Sequence, residues 1–248
     1  MSVKEWITGR NPVYETLKAG RRQCFRLLLA HGVEEKGRLQ EVILIAQKRR
    51  LEIVYVQRQQ LDAMGENTQG VAMEASGYPY SDLLTMLQKA NDLQEPMFIL
   101  ALDVIQNPQN LGTLLRTAEA VGVHGVLMPL ARAVGVTPAV VHASAGASEH
   151  LLVAPMNLSQ GLDALKEEGA WVIGLEGGKD ATPADKVNLK GPLVIVVGSE
   201  GEGMRLLTRK NCDVLLKLPM HGQVESLNAA VAGSIVLYMA LMARQGGG

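Results

Sequence analysis

The chain has 248 residues, of which 47% are hydrophobic and 20% are charged, and its formal net charge is −1. This length and composition predict an ordinary buried core, arranged as two modest domains or one large domain. The two cysteines, Cys24 and Cys212, lie far apart and outside any Cys-X-X-Cys or Cys/His cluster. We therefore expect no disulfide framework and no metal site, and we predict a reducing, cytoplasmic location. No basic n-region with an apolar h-region opens the chain, so we also expect no signal peptide.

Basic residues are concentrated in the first third of the chain. Residues 1–80 contain 12 Lys/Arg and 9 Asp/Glu, whereas residues 81–248 contain 12 and 16. Two basic clusters contribute: Arg21, Arg22 and Arg26, and Lys48, Arg49 and Arg50. Such clusters are consistent with solvated helix ends or with a surface that contacts nucleic-acid phosphates, and charge alone does not choose between them.

The first 75 residues predict a small α/β domain of the βαβ type. Asn11 is a candidate helix cap, with Pro12 at the first helical position and Gly20 at the end of the helix. Residues 37–50 predict a second helix with one apolar face, formed by Leu39, Val42, Ile43 and Ala46. Strands are predicted at 25–30, 51–56 and 71–75.

A turn-rich tract at residues 76–82 separates this block from a second one with a more regular pattern. Apolar runs predict strands at 97–104, 125–130, 171–175, 193–197 and 213–218. Helical periodicity is found at 110–121, 137–147, 159–168, 204–211 and 226–243. Continuous apolar strands separated by helices predict a mostly parallel sheet with helices on both faces and a ligand site beyond the carboxyl ends of the strands. The predicted boundaries are 1–76, then 77–93 for a linker and connecting helix, then 94–248.

The last predicted helix, residues 226–243, has no charged residue and reaches the threshold length of a membrane span. Its polar residues Ser226, Asn228 and Ser234 favour a buried helix or a subunit interface instead.

The loop after the strand at 97–104 contains the run NPQNLGTLLR, residues 107–116. Asn110 is a candidate helix cap, and Gly122 is expected to end the helix. Arg116 falls outside the buried stripe of this helix. It is therefore either a solvated arginine or a guanidinium held beside a phosphate or a hydroxyl.

Two further loops combine glycines with polar residues. The loop VVGSEGEGM, residues 196–204, carries Glu200 and Glu202, and these carboxylates and the absence of Gly-X-Gly-X-X-Gly argue against a pyrophosphate site. The loop LPMHGQVESLNAAVAG, residues 218–233, offers Ser226 as a helix cap and places Asn228 in the first turn.

In this order and spacing, the three loops resemble the three motifs of the SpoU-type ribose methyltransferases of the SPOUT class. The resemblance implies that the second block folds as a trefoil knot. The first block resembles the L30e-like RNA-binding extension of the rRNA branch of that family. Residues 67–71, NTQGV, stand where those proteins often carry His-Gln-Gly, and Thr68 replaces the histidine.

The resemblance implies methyl transfer from S-adenosyl-L-methionine to a ribose 2′-hydroxyl in RNA, most closely in the manner of the bacterial branch that modifies a guanosine of 23S rRNA. It places the cofactor against the backbone at Gly198, Leu218 and Leu227, with the strand end near Leu175 contributing. It gives the central catalytic role to Arg116. Supporting polar roles fall to Asn110, Glu200, Ser226 and Asn228.

The resemblance also implies a homodimer, for which the uncharged segment 226–243 is a reasonable interface. Three alternatives remain open from the sequence. The same chemistry could act on tRNA, the chain could be an RNA-binding homologue without catalysis, or it could be a nucleotide-dependent oxidoreductase.

Overall fold

The structure, a computed structural model, describes residues 3–65 and 67–245. The chain forms two compact units. The first is formed by the residues up to Pro79 together with Gly135–His150, and the second by Tyr80–Val134 together with the residues from Leu151 onward. The segment Gly135–His150 therefore packs with the N-terminal block, although it lies in the middle of the second block of the sequence.

Alternating strands and helices follow one another along the described residues. The strands are β1 (Lys4–Thr8), β2 (Cys24–Ala30), β3 (Glu52–Val56), β4 (Val71–Ser76), β5 (Phe98–Leu102), β6 (Gly125–Pro129), β7 (Val153–Met156), β8 (Trp171–Leu175), β9 (Thr182–Pro183), β10 (Leu193–Val197) and β11 (Val214–Lys217). The α-helices are α1 (Arg10–Ala19), α2 (Arg38–Lys48), α3 (Arg58–Asp62), α4 (Leu83–Leu93), α5 (Pro108–Ala120), α6 (Pro138–Ala143), α7 (Leu158–Glu167), α8 (Leu206–Lys210) and α9 (Ala229–Gln245).

The sheet of the first unit has the order β1-β4-β2-β3. Strands β2 and β3 are parallel and are joined through α2, which confirms the predicted βαβ arrangement. Strand β4 is antiparallel to both β1 and β2. The predicted apolar face of α2 is confirmed, since its buried residues are Leu39, Val42, Ile43 and Ala46. The predicted cap at Asn11 is wrong, because α1 starts after Gly9 and Asn11 lies inside it, whereas Gly20 ends the helix in the left-handed conformation as predicted.

A buried ion pair attaches the segment Gly135–His150 to the rest of the first unit. The Arg22 guanidinium donates to both carboxylate oxygens of Glu149 at 2.9 Å, and the two side chains are 0% and 1% exposed. Arg22 also binds Glu5 at 2.6 Å, and the Tyr78 hydroxyl donates to the Ser148 carbonyl at 2.9 Å. Burial raises the pKa of Tyr78 to about 12. The interpretation of Arg22 as part of a surface cluster is therefore wrong.

The second unit contains the predicted parallel sheet, with the order β7-β6-β5-β10-β8-β11-β9 and every described neighbouring pair parallel. Helices cover both faces of this sheet. Successive residues of a strand point to opposite faces, so neighbouring residues of β10 contact different helices. Val194 and Val196 of β10 pack in one core cluster with residues of α4 and α7. Val197 faces the other side, where α9 approaches so closely that a Cβ on Gly233 would lie 3.0 Å from it.

None of the described helices is long and apolar enough to cross a membrane. The last helix starts at Ala229, three residues later than predicted, and runs to Gln245. The trefoil knot implied by the resemblance stays a prediction.

Candidate active site

Three loops meet at the carboxyl edge of the parallel sheet. Strand β10 lies between β5 and β8, and β11 is the next neighbour of β8. Because all four strands are parallel, the loops that follow them leave the sheet at the same edge. Sheet topology thus brings together the three sequence motifs.

A cavity of about 340 Å³ lies at this edge, and the four predicted cofactor residues all line it: Leu175, Gly198, Leu218 and Leu227. Its charged lining consists of three carboxylates and one ammonium group, contributed by Glu176, Glu200, Glu225 and Lys217. The cavity is therefore apolar on part of its wall and carries an excess of negative charge, which suits a ligand with a flat apolar group and a cationic centre.

The glycine-rich loop after β10 folds back on itself. The Ser199 amide donates to the Gly203 carbonyl at 3.0 Å, and the Gly203 amide donates to the Ser199 carbonyl at 3.1 Å. A Cβ on Gly198 would lie 2.4 Å from the Gly203 carbonyl carbon and 2.5 Å from the Met204 nitrogen. Gly198 is therefore required by the close approach of the loop's own backbone.

Asn228 connects the three loops. Its Nδ2 donates to Glu200 Oε1 at 2.8 Å and to Asn110 Oδ1 at 3.2 Å. Its Oδ1 accepts from the Ala230 and Val231 amides at 2.9 and 3.2 Å. Asn228 is therefore the cap of α9 as well as the residue that fixes the carboxylate of Glu200.

Two predicted caps are wrong for related reasons. Helix α5 is capped by Asn107, whose side chain accepts from the Gln109 amide at 2.8 Å, since Pro108 takes the first helical position. Asn110 is consequently in the first turn, where its side chain binds Asn228. Ser226 does not cap α9, which Asn228 does; it lines the 340 Å³ cavity instead.

The buried carboxylate of Asp103, which was not among the predicted site residues, anchors the loop after β10. Asp103 follows β5 and is 0% exposed. It accepts from the Arg205 backbone amide and from Arg205 Nε, both at 2.7 Å. A charged residue directly after a continuous apolar strand was the available signal, because a buried carboxylate requires a partner.

A second cavity, of about 530 Å³, shares the segment 199–201 with the first and also contacts the loop after β5. Its polar lining residues are Gln106, Asn107, Asn110, Ser199, Glu200 and Glu202. Val104 in its wall has a φ of 63°, which is strained for a β-branched residue. Glu200 is a lining residue of both cavities and therefore lies between them.

Arg116 is not brought to either of these cavities within one chain. It is exposed on α5, and no hydrogen bond or ion pair joins it to the part of the chain that the structure describes. Thr113 and Thr117, its neighbours on the helix surface, line a shallow groove between α5 and α9. The remaining lining of this groove is apolar apart from Ser234: Val231, Ile235, Tyr238, Met239 and Met242.

Within the described ranges, no group of three or more His, Cys, Asp or Glu residues is arranged to hold a metal ion. The parallel sheet and the two adjoining cavities define an α/β protein of the class that binds an organic ligand at the strand ends beside a second reactant.

Comparison with known proteins gives the family. The chain belongs to the SpoU rRNA methylase family, whose model matches residues 97–238, and a model for RNA 2′-O ribose methyltransferase substrate binding matches residues 6–81. The Bacillus subtilis protein YacO, named for the TrmH family of tRNA/rRNA methyltransferases as a provisional assignment, is 43% identical over 94% of both chains. The protein is therefore an RNA methyltransferase, of a family that uses S-adenosylmethionine as methyl donor.

Solved structures show the same fold. The SpoU methyltransferase AviRb from Streptomyces viridochromogenes, in complex with AdoMet, superposes with a TM-score of 0.82 at 23% identity, covering 99% of this chain and 92% of its own. An AdoMet-bound rRNA methyltransferase from Sinorhizobium meliloti has a TM-score of 0.77 at 23% identity, with 96% and 86% covered. The predicted fold class is thus confirmed over both blocks.

Proposed function

We propose that this enzyme transfers the methyl group of S-adenosylmethionine to a ribose 2′-hydroxyl in RNA, and that its target is a guanosine of 23S rRNA. The observation that carries the proposal is the single cavity lined by Leu175, Gly198, Leu218 and Leu227, separated from a second cavity by the Glu200 segment. The rRNA target is supported by the family description and by the match of the N-terminal block to a substrate-binding model. A cytoplasmic location belongs to the same proposal.

The lining of the smaller cavity fits S-adenosylmethionine. Leu218 and Leu227 offer apolar contact to the faces of the adenine. The carboxylates of Glu176, Glu200 and Glu225 outnumber the single ammonium of Lys217, which favours a sulfonium and disfavours a phosphate. When bound, the cofactor supplies an electrophilic methyl group on this sulfonium.

The hydrogen bonds of Asn228 to Glu200 and Asn110 would orient the reactants. Asn228 holds Glu200 and Asn110 in fixed positions through two hydrogen bonds, and the bond to Glu200 depends on the loop closure at Gly198. Ser226, on the wall of the same cavity, would contribute a further hydroxyl. Groups held in this way accelerate a reaction through orientation.

Arg116 would bind the phosphate of the target nucleotide and donate a hydrogen bond to its 2′-oxygen. A guanidinium carries only N–H donors and no acceptor lone pair, so Arg116 does not act as a free base. The proton of the 2′-hydroxyl would leave through the phosphate or water.

A homodimer would account for the position of Arg116. The side chains Val231, Ile235, Tyr238 and Met242 are between 40% and 65% exposed and form an apolar groove beside α5. Exposed apolar surface of this kind is typical of an interface. A second copy seated on it would bring Arg116 of one subunit into the vicinity of the other subunit's site.

The decisive test is methyl transfer to 23S rRNA prepared from a strain that lacks the gene, followed by digestion to nucleosides and mass spectrometry. We expect 2′-O-methylguanosine from the wild-type protein. Arg116→Ala should lower kcat by about 10²-fold or more while the calorimetric Kd for S-adenosylmethionine changes less than twofold. Arg116→Lys should not restore kcat, because an ammonium lacks the planar fork.

The tRNA alternative is tested in the same assay. Purified unmodified tRNA replaces the rRNA at equal nucleotide concentration, and methyl incorporation into tRNA alone would overturn the rRNA target. Loss of both activities with retained cofactor binding would favour the RNA-binding homologue.

A further inference from the structure

We propose that a cleft at the carboxyl end of β6 binds the nucleotide next to the methylated one, with its base against leucine side chains and its phosphate on Arg132. This inference rests on the proposed function, because it requires an RNA substrate. The cleft has a volume of about 410 Å³ and is separate in its lining residues from both cavities described above.

The cleft exposes an apolar surface that the fold does not cover. Leu130, Leu206 and Leu207 line it and are 75%, 66% and 67% exposed. Three large exposed leucines at one place are unusual for a surface without a partner. The faces of nucleobases are apolar enough to gain from contact with them, whatever the base, so the contact would be independent of sequence.

The charge of the cleft is positive. Two guanidinium groups, Arg132 and Arg205, contribute to its lining, and every other lining residue is uncharged. Arg205 is neutralised by the buried carboxylate of Asp103. Arg132 is exposed, and none of the described residues forms an ion pair or side-chain hydrogen bond with its guanidinium. It is therefore available to a phosphate. The charge favours a nucleic-acid strand over a second protein surface as the occupant.

Two hydrogen bonds connect the loop that carries Arg132 with residues of the larger cavity. The Val134 amide donates to the Ile105 carbonyl at 3.0 Å, and Gln106 Nε2 donates to the Arg132 carbonyl at 3.4 Å. Ile105 and Gln106 line the larger cavity. A strand whose target ribose occupies that cavity would therefore reach Arg132 with its neighbouring phosphate.

The backbone at Arg132 has a φ of 62°, in the left-handed region that favours glycine. Arg132→Gly therefore removes the guanidinium without straining the loop, so that loss of folding does not obscure the result. A matched control is Lys190→Ala, which removes an exposed cation that precedes β10, at the opposite edge of the sheet.

Steady-state methylation of the unmodified 23S rRNA is measured over a series of KCl concentrations. For Arg132→Gly we expect an RNA KM about 10- to 100-fold higher, kcat at saturating RNA within twofold and an unchanged cofactor Kd. The slope of log(kcat/KM) against log[KCl] should become shallower by about 0.7 to 0.9, the value for one phosphate contact. Lys190→Ala should change neither quantity. Leu206→Ser and Leu207→Ser should raise KM without altering the slope.

An unchanged KM and slope in Arg132→Gly would overturn the inference. So would an equal loss of cofactor affinity, which would assign the loop to the cofactor site. A change of molecular mass on sedimentation of the leucine variants would show instead that a protein covers the cleft. If the wild-type protein formed no 2′-O-methylated nucleoside, the failure would belong to the proposed function.

Discussion

The carboxamide of Asn228 donates a hydrogen bond of 2.8 Å to the carboxylate of Glu200. The other end of the same carboxamide accepts two amides at the start of α9. The orientation of the carboxamide is thereby fixed, since only Nδ2 can donate. One residue of the third motif thus determines where the carboxylate of the second motif lies.

Exchanging the carboxamide and the carboxylate between positions 228 and 200 tests this hydrogen bond. Asn228→Asp places two exposed carboxylates together, and we expect a loss of stability of about 0.2–1 kcal/mol from their solvent-screened repulsion. Glu200→Gln alone should cost less than about 0.5 kcal/mol, because only the charge assistance of an exposed bond is lost. The double variant restores a donor and an acceptor, so its Tm should exceed that of Asn228→Asp. Differential scanning calorimetry measures all three, and a double variant less stable than either single variant would contradict the role of the bond.

Gly198 and Gly201 form a matched pair of test positions within one loop. Alanine at 198 would push its Cβ against the backbone of Gly203 and Met204, whereas nothing lies within 4 Å of a Cβ at 201. We expect Gly198→Ala to lower stability by about 1–3 kcal/mol and to abolish cofactor binding. Gly201→Ala should retain both properties. Urea denaturation and calorimetric titration with S-adenosylmethionine check the pair; equal effects at the two positions would refute the packing argument.

The topology of a parallel sheet explains why predicted cofactor residues from separate loops lie together, since it places all strand ends at one edge. Leu175, Gly198, Leu218 and Leu227 lie far apart in the sequence and still line one cavity. The strands β8 and β10 were predicted with the observed bounds, since each is a continuous apolar run. The continuous apolar runs predicted the strands, and the family resemblance supplied the four cofactor residues.

Other features depend on tertiary context. Strand β1 was not predicted, because its sequence KEWIT mixes charged and apolar residues and only Ile7 and Thr8 are buried. Arg22 looks like any surface arginine until Glu149 comes beside it from the later segment. The apolar residues Val140 and Val141 of α6 define a buried face without revealing which unit covers it. Local periodicity carries no information on such partners.

The ion pair of Arg22 and Glu149 predicts that the N-terminal block is incomplete without the segment Gly135–His150. Glu149→Ala leaves a buried guanidinium with only Glu5 as its carboxylate partner, and should destabilise the first unit by about 3–5 kcal/mol. Arg22→Met with Glu149→Leu removes both charges and should cost less than Glu149→Ala. A fragment that ends at Pro79 should show less cooperative urea unfolding than the full chain. A double variant no more stable than Glu149→Ala would contradict this account.

His124 makes stability dependent on pH. Its Nδ1 accepts from the Phe98 amide at 2.9 Å, so the ring is neutral, and burial lowers the pKa of His124 below 6.5 despite the opposing effect of Glu95. The unfolded chain therefore takes up a proton at a higher pH than the folded one. Stability is present above the unfolded pKa and is lost as pH falls from there through the folded pKa. The Tm of the wild type should fall between pH 7 and pH 5 more than that of His124→Asn, which keeps an acceptor without titrating; parallel curves would exclude this residue as the cause.

Mixed dimers separate a role of Arg116 in its own subunit from a role in the partner's. Arg116→Ala and Gly198→Ala should each be inactive alone, one lacking the guanidinium and the other the cofactor cavity. If Arg116 serves the partner subunit's cavity, a heterodimer contains one complete site, formed by the cavity of one chain and the arginine of the other. Denaturing and refolding an equal mixture should then restore about a quarter of the wild-type turnover per site, because half of the dimers are mixed and half of their sites are complete.

Turnover that stays at the level of the separate variants would place Arg116 in the site of its own chain. Sedimentation of Ile235→Asp, whose charge lies in the apolar groove of α5 and α9, provides the control: it should yield monomers that bind S-adenosylmethionine but do not methylate RNA.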